Sequence, residues 1–437
     1  MFSSKHILAL FALGAAIAAA VMAFTGTAGW DAEVYWKAAQ SVHRGIDPYA
    51  SGIAAQQAFH DMGQISMHPH SPMTYVYSPI TLPLLRIIGS VPAWIAGTLY
   101  SIALAGGFAL QLWAGWQMAT TSERRWLRFL LPAVAFFPGL LSDDVLLSGN
   151  VVYLLYGLIM AAAVRGWKRN QWSWYYAAVL AASCCKAPLL TLLAFPLLVG
   201  RRQWIRAGLM GGVGCLLFSI QERVWPDLFN EYLEAVRLQF DWNIDFGVGP
   251  AGLLGKALVE AGLPYSVPTT VVYGIFASVV MIILLRTARK FQNDSEARLE
   301  WLPIAFIGTI LLNPRVKEYD VAILTVPMLL VSYRLLRMIW DAANIQLNDR
   351  VGYRDPNKQN YRTAIPFVLM ACGWFLAINC AADGDTWKPL ECALLIGTFG
   401  AGSWSMLRNS RAAVGRAQVS AGRSGNVIAP VTAAGGD

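Results

Sequence analysis

A carboxylate set among aromatic residues is the first place in this chain where chemistry is possible. The segment runs Gly-Trp-Asp-Ala-Glu-Val-Tyr-Trp over positions 29–36, followed by Gly45 and by Asp47, Pro48 and Tyr49. Treated as a helix, positions 31–44 place Glu33, Lys37, Gln40 and Arg44 on one face. Glu33 can pair there with Lys37 four residues on. The opposite face reads Asp31, Val34, Tyr35, Ala38, Ala39 and Val42. Asp31 therefore falls on an apolar face, where a desolvated carboxylate suits proton abstraction. The same residue also fits the N-cap of that helix, and spacing leaves both roles open. Asp47-Pro48-Tyr49 reads as a turn.

Cations supply the other half of a possible reaction centre. Lys186 interrupts the run Ala-Ala-Ser-Cys-Cys-Lys-Ala-Pro-Leu-Leu. It can snorkel to the membrane surface, or it can hold an anion, since no carboxylate lies near it in sequence. Arg315 and Lys317 stand in Asn-Pro-Arg-Val-Lys-Glu-Tyr-Asp, positions 313–320. Glu318 and Asp320 could satisfy them internally. Alternatively, an arginine fork with one or two lysines suits a phosphate group. Asp143, Asp144, His60, His68 and His70 show no metal-ligand spacing, so no metal site is expected. Gly-rich phosphate loops, nucleophile elbows and other cofactor motifs are missing, and no cofactor is expected.

The elements that must position these groups are membrane spans. Of 437 residues, 56% are hydrophobic and 14% charged, against roughly 25% charged in soluble domains. Apolar runs long enough to cross a bilayer recur throughout, which predicts an all-α polytopic membrane protein. The net charge of +8 lies in short links between those runs. That distribution is a topology signal and not a nucleic-acid face. Cys184, Cys185, Cys215, Cys372, Cys380 and Cys392 fall in or beside apolar runs and form no CxxC pair, so they read as small hydrophobes.

Spans are expected at 7–24, 92–117, 126–141, 149–164, 205–220, 266–286, 301–312, 321–336, 363–382 and 389–407. The segment 172–199 is too short for two full spans and is broken at Lys186-Ala187-Pro188, so it reads as two short helices or a re-entrant pair. The total is about twelve spans. The first span could also be a signal peptide, but retention is favoured. One membrane-embedded domain over 1–407 is expected, with outer loops at about 25–91 and 221–264, and a disordered inner tail at 408–437. With basic links inside, Asp31, Asp143, Asp144, Lys186, Arg315, Lys317, Glu318 and Asp320 all fall on the outer side.

Several of these motifs, in this order, resemble glycosyltransferase family 87. Its members are polyprenyl-phosphate-sugar-dependent mannosyl- and hexosyltransferases of the C-type (GT-C) membrane fold. Asp31-x-x-Val-Tyr-Trp with Gly45-x-Asp-Pro-Tyr is similar to the family's first outer loop. Tyr77-Ser-Pro79 is similar to its Tyr-Pro-Pro, Ser148-Gly149-Asn150 to its Gly-Gln, and Lys186-Ala-Pro188 to its Lys-Pro element. Asn313-Pro-Arg315 with Tyr319-Asp320 is similar to its Ser-Pro and Tyr-Asp turn. Asn150, Ser78 and Ala187 depart from the usual residues, and the histidine some members carry near Asn313 is absent.

That resemblance implies a GT-C-type bundle in the bacterial inner membrane with its active site facing the periplasm. Asp31 would deprotonate an acceptor hydroxyl, which attacks the anomeric carbon with inversion while polyprenyl phosphate leaves. Lys186, Arg315 and Lys317 would hold the donor phosphate, and Tyr35, Tyr77, Asn150, Tyr319 and Asp320 would line the substrate cleft. The partners implied are a polyprenyl-phosphate-linked hexose, a lipid or glycan acceptor and the bilayer itself, without metal or nucleic acid. A transporter or lipid flippase without covalent chemistry is the rival reading, since broken helices and membrane charges also make a substrate path.

Overall fold

The computed structural model describes residues 29–62, 74–125, 127, 148–241, 246–293, 297–351 and 388–424. The expected spans at 7–24 and 363–382, nearly all of 126–141, and the residues His68, His70, Asp143 and Asp144 lie outside them. The described chain is built of helices, with no strand among the described residues.

On the side that carries Asp31, α1 (Trp30–His43), α2 (Ala50–Asp61) and α3 (Leu82–Gly89) precede the first long helix, α4 (Ala93–Met118). Next come α5 (Val152–Arg169) and α6 (Ser173–Cys185), a 3₁₀ segment (Ala187–Leu193) and the short α7 (Ala194–Leu197). The chain continues through α8 (Arg201–Val224), α9 (Pro226–Asp241), α10 (Pro250–Glu260) and α11 (Ser266–Asn293). It closes with α12 (Ala297–Leu311), α13 (Glu318–Ala322), α14 (Thr325–Val351) and α15 (Lys388–Ser424).

Among the described residues, four stretches are long and apolar enough to cross a membrane: Ala93–Met118, Gln203–Val224, Ser266–Phe291 and Lys388–Arg408. Their outward surfaces are greasy. Leu209, Leu216 and Ile275 are each more than 60% exposed, a surface that suits lipid and not water. α15 runs past Arg408 to Ser424, where the composition predicts disorder. Ala and Arg are good helix formers, and they continue the preceding span's winding.

α4 and α5 form the central pair. A Cβ on Gly157 would stand 2.2 Å from the Gly107 carbonyl oxygen, so only small residues permit this approach. Gln111 spans the same seam, its side-chain amide donating to the Tyr153 carbonyl at 2.8 Å. A stack of Trp167, Phe291 and Trp301 fills the core near the far end of α5.

α6 stops at Lys186, whose backbone is extended (φ −136°, ψ 95°). Pro188 has no N–H to continue the α-helical bonding of α6, and in the first turn after the extended Lys186 it is tolerated, so the chain resumes as 3₁₀ winding. The break expected at Lys186 is therefore present. A second, smaller core joins the elements beside α1, with Ala38, Ala39, Tyr49, Tyr75, Phe229 and Tyr232 buried together. α9 supplies its amphipathic face through Phe229, Tyr232, Ala235 and Leu238.

Candidate active site

α1 begins after Gly29, which adopts a left-handed conformation (φ 96°), and carries Asp31 and Glu33 in its first turn. Negative side chains favour that end of a helix. No side chain caps the helix, so Asp31 is not its N-cap. Glu33 and Lys37 instead form the expected exposed pair, at 2.7 Å.

What holds Asp31 is the turn that opens α5. The Ser148 carbonyl accepts from the Asp31 and Ala32 amides at 2.9 and 3.2 Å. Gly149 makes the turn with φ +67°, a conformation that costs most residues dearly. The Gly149 carbonyl accepts from the Tyr100 hydroxyl at 2.6 Å. Asn150 then faces two ways. Its Oδ1 takes the Val152 amide at 3.0 Å, tying down the first turn of α5. Its Nδ2 donates to Asp31 Oδ2 at 2.9 Å, fixing the half-buried carboxylate.

One turn along α1, Tyr35 shares a hydrogen bond with Tyr77, oxygen to oxygen at 2.6 Å. Its ring meets Tyr77 and Tyr100 edge-on, at 5.2 and 6.2 Å. Burial pushes both the Tyr35 and Tyr77 phenols well above their ordinary range, and the Asp31 charge adds to this. They remain neutral hydroxyls beside a carboxylate.

The cations gather at the break after α6. Lys186 Nζ lies 3.3 Å from Asp320 Oδ2 and 4.6 Å from the centre of the Tyr319 ring. The partner that local sequence does not supply for Lys186 is therefore Asp320, 134 residues away. Asp320 is fully buried. It also accepts from the Lys317 amide at 2.9 Å, capping α13, and from the Tyr156 hydroxyl at 2.7 Å. Arg315 lays its guanidinium over Phe240 at 4.7 Å.

Two hollows serve these groups. One, of about 500 Å³, is walled by Gly29, Ala32, Glu33, Tyr35, Tyr77 and Tyr100, with Leu84 and Ile88 from α3. The other, of about 480 Å³, is walled by Lys186, Arg315, Tyr319, Phe240 and Tyr77. Tyr77 and Cys185 border both, so the two hollows share these residues as a common wall. Asp31, Asn150, Lys317 and Asp320 are not wall residues; in the chain Asp31 adjoins the wall residue Ala32, and Asp320 adjoins Tyr319. α5 carries both groups. Asn150 precedes its first turn and Tyr156 lies six residues on, about 9 Å along the axis.

Of the residues singled out from sequence, Asp31, Tyr35, Tyr77 and Asn150 come together, and Lys186, Tyr319, Asp320 and the Lys317 backbone form a second group. Arg315 joins the second through their common wall. Sequence reading misses Tyr100 and Tyr156, and gives Cys185 only as a small hydrophobe. The tyrosines sit inside apolar runs and carry no local mark of their role. The order and common side of the motifs were the available signal for the rest. No family model matches this chain, and no curated protein matches it.

Proposed function

We propose that this chain is an integral-membrane glycosyltransferase. It moves a mannose-like hexose from a polyprenyl-phosphate donor to an acceptor hydroxyl on the outer face, inverting the anomeric carbon. The observation that carries the reading is a pair of neighbouring hollows that share Tyr77 and Cys185 as wall residues. An anchored carboxylate, Asp31, stands by one, and Lys186 and Arg315 line the other. The fold that goes with this reading is a GT-C-type bundle of about twelve spans in the bacterial inner membrane.

In this mechanism Asp31 takes the proton of the acceptor hydroxyl as its oxygen bonds to the anomeric carbon. The bond from that carbon to the phosphate oxygen breaks, and the phosphate leaves with the electron pair. Arg315 offers a planar fork of donors to the departing charge, which grows in the transition state. Lys186 is already neutralised by Asp320 and adds directed N–H groups more than net charge. Asn150 holds Asp31 in one orientation, and Tyr35 and Tyr77 present neutral hydroxyls to sugar oxygens.

The test is turnover by purified protein supplied with polyprenyl-phosphate-hexose donors and lipid or glycan acceptors. Asp31→Asn should lower kcat by about 10²–10⁴-fold while donor binding persists. Full turnover by this variant would remove Asp31 as the base. Counterflow of an unmodified solute in proteoliposomes, with no covalent product, would favour the transporter reading suggested by the helix break at Lys186.

A further inference from the structure

A separate hollow lies at the far end of α5. That helix has 18 residues from Val152 to Arg169, about 27 Å at 1.5 Å per residue, close to the thickness of a bilayer's hydrocarbon core. Its first turn is tied to Asp31, so its last turn lies a full helix length away from that group. There a cavity of about 500 Å³ is lined by Trp167, Lys168, Arg169, Asn170, Trp172 and Phe291, among others.

The walls are rigid and aromatic. Asn170 ends α5 in the left-handed region (φ 55°), folding the chain back so that Trp172 packs beneath Gly166. Trp167 meets Phe291 at 4.4 Å, and Trp172 meets Phe195 at 5.8 Å. Trp172 is 1% exposed, and its indole Nε1 has no hydrogen-bond partner among the described residues.

The mouth is cationic. Lys168 and Arg169 are exposed, and Lys168 Nζ donates to Gln117 Oε1. Arg124 lies over the ring of Trp116, which is next in the chain to the Gln117 that Lys168 contacts. The carboxylate beside Arg124 in the chain, Glu123, is engaged by Arg334. Among the described residues no carboxylate pairs with Lys168 or Arg169, and crowded positive charges are relieved by an anion from outside.

The surroundings favour a lipid over a free ion. Trp204 and Ile205, at the start of α8 just beyond the cavity wall at Val199, are 52% and 72% exposed and offer an apolar track for acyl chains. Indoles settle at headgroup depth, and basic pockets between spans hold anionic headgroups. We infer that this hollow binds the phosphodiester headgroup of an anionic phospholipid. Lys168 and Arg169 hold the phosphate between the Trp167 and Trp172 walls. The site is independent of the proposed glycosyl transfer.

Native mass spectrometry and thermal unfolding of the full-length protein test this, with phosphatidylglycerol, phosphatidylcholine and inorganic phosphate as separate arms. Phosphatidylglycerol should remain bound and raise Tm, while phosphatidylcholine and inorganic phosphate should not. K168Q/R169Q should bind phosphatidylglycerol on the order of 30-fold more weakly, and R169Q alone, at an exposed side chain, about fivefold. K37Q/R237Q, which removes two cations from the Asp31 side, should bind like the unmodified protein. Equal retention of phosphatidylcholine, a Tm shift from inorganic phosphate alone, or unchanged binding by R169Q would overturn the proposal.

Discussion

At the scale of the residue, Asp31 depends on Asn150 more than on its own helix. The amide donates to one carboxylate oxygen at 2.9 Å while its other end ties down α5 at 3.0 Å. Orientation of the carboxylate is thereby coupled to the start of the central helix. Hydrogen bonds to charged groups are worth about 1.5–3 kcal/mol. If Asp31 is the base, Asn150→Ala should lower kcat by about 10- to 100-fold and leave KM little changed. A large rise in KM at constant kcat would instead make Asn150 a substrate contact. Lys186 teaches a related lesson. A buried ammonium in an apolar run demanded an anion, and Asp320 supplies it across the fold.

Among the elements, the contact between the α1–α2 turn and α9 carries a pH response. Asp47 Oδ1 accepts from the Tyr49 amide at 2.7 Å, making the expected turn, and Tyr49 packs on Tyr232 of α9. A hydrogen bond with Asp47 pushes the Glu231 carboxyl up from 4.5 to about 7, and burial and the Asp47 and Asp227 charges add to it. A raised acid is one whose proton the folded state retains. The stability from that shared proton is complete below pH 4.5, falls as pH rises, and is gone above about 7. Because the pair is half-exposed, the effect on Tm should be small, on the order of 1–2 °C between pH 5 and pH 8. Glu231→Gln keeps a donor toward Asp47 at every pH and should flatten that difference. An unchanged pH slope would show that the proton is not shared.

For the whole molecule, a buried ion pair ties helices together at the end where α4 finishes. Arg334 on α14 reaches Glu123 with two hydrogen bonds, at 2.6 and 3.0 Å, and donates to the Glu300 carbonyl on α12 at 2.7 Å. The side chains are 18% and 6% exposed, so each charge is costly alone. Arg334→Met should lower unfolding free energy in detergent by about 3–5 kcal/mol, and E123L/R334M should recover most of it. A double variant as unstable as the single one would mean that the Glu300 contact, and not the ion pair, holds this end together.

Periodicity and composition were enough to read the helical class, the long apolar helices, the break at Lys186, the Glu33–Lys37 pair and the Asp47 turn. Each depends on residues within a few positions of one another, or on the length of an apolar run. Tertiary structure alone decided that Asn150 grips Asp31, that Asp320 answers Lys186, and that Tyr77 and Cys185 wall both hollows. The two side-chain contacts link residues 119 and 134 positions apart. No local pattern encodes them, because side chains so distant meet only after the helices between them have packed.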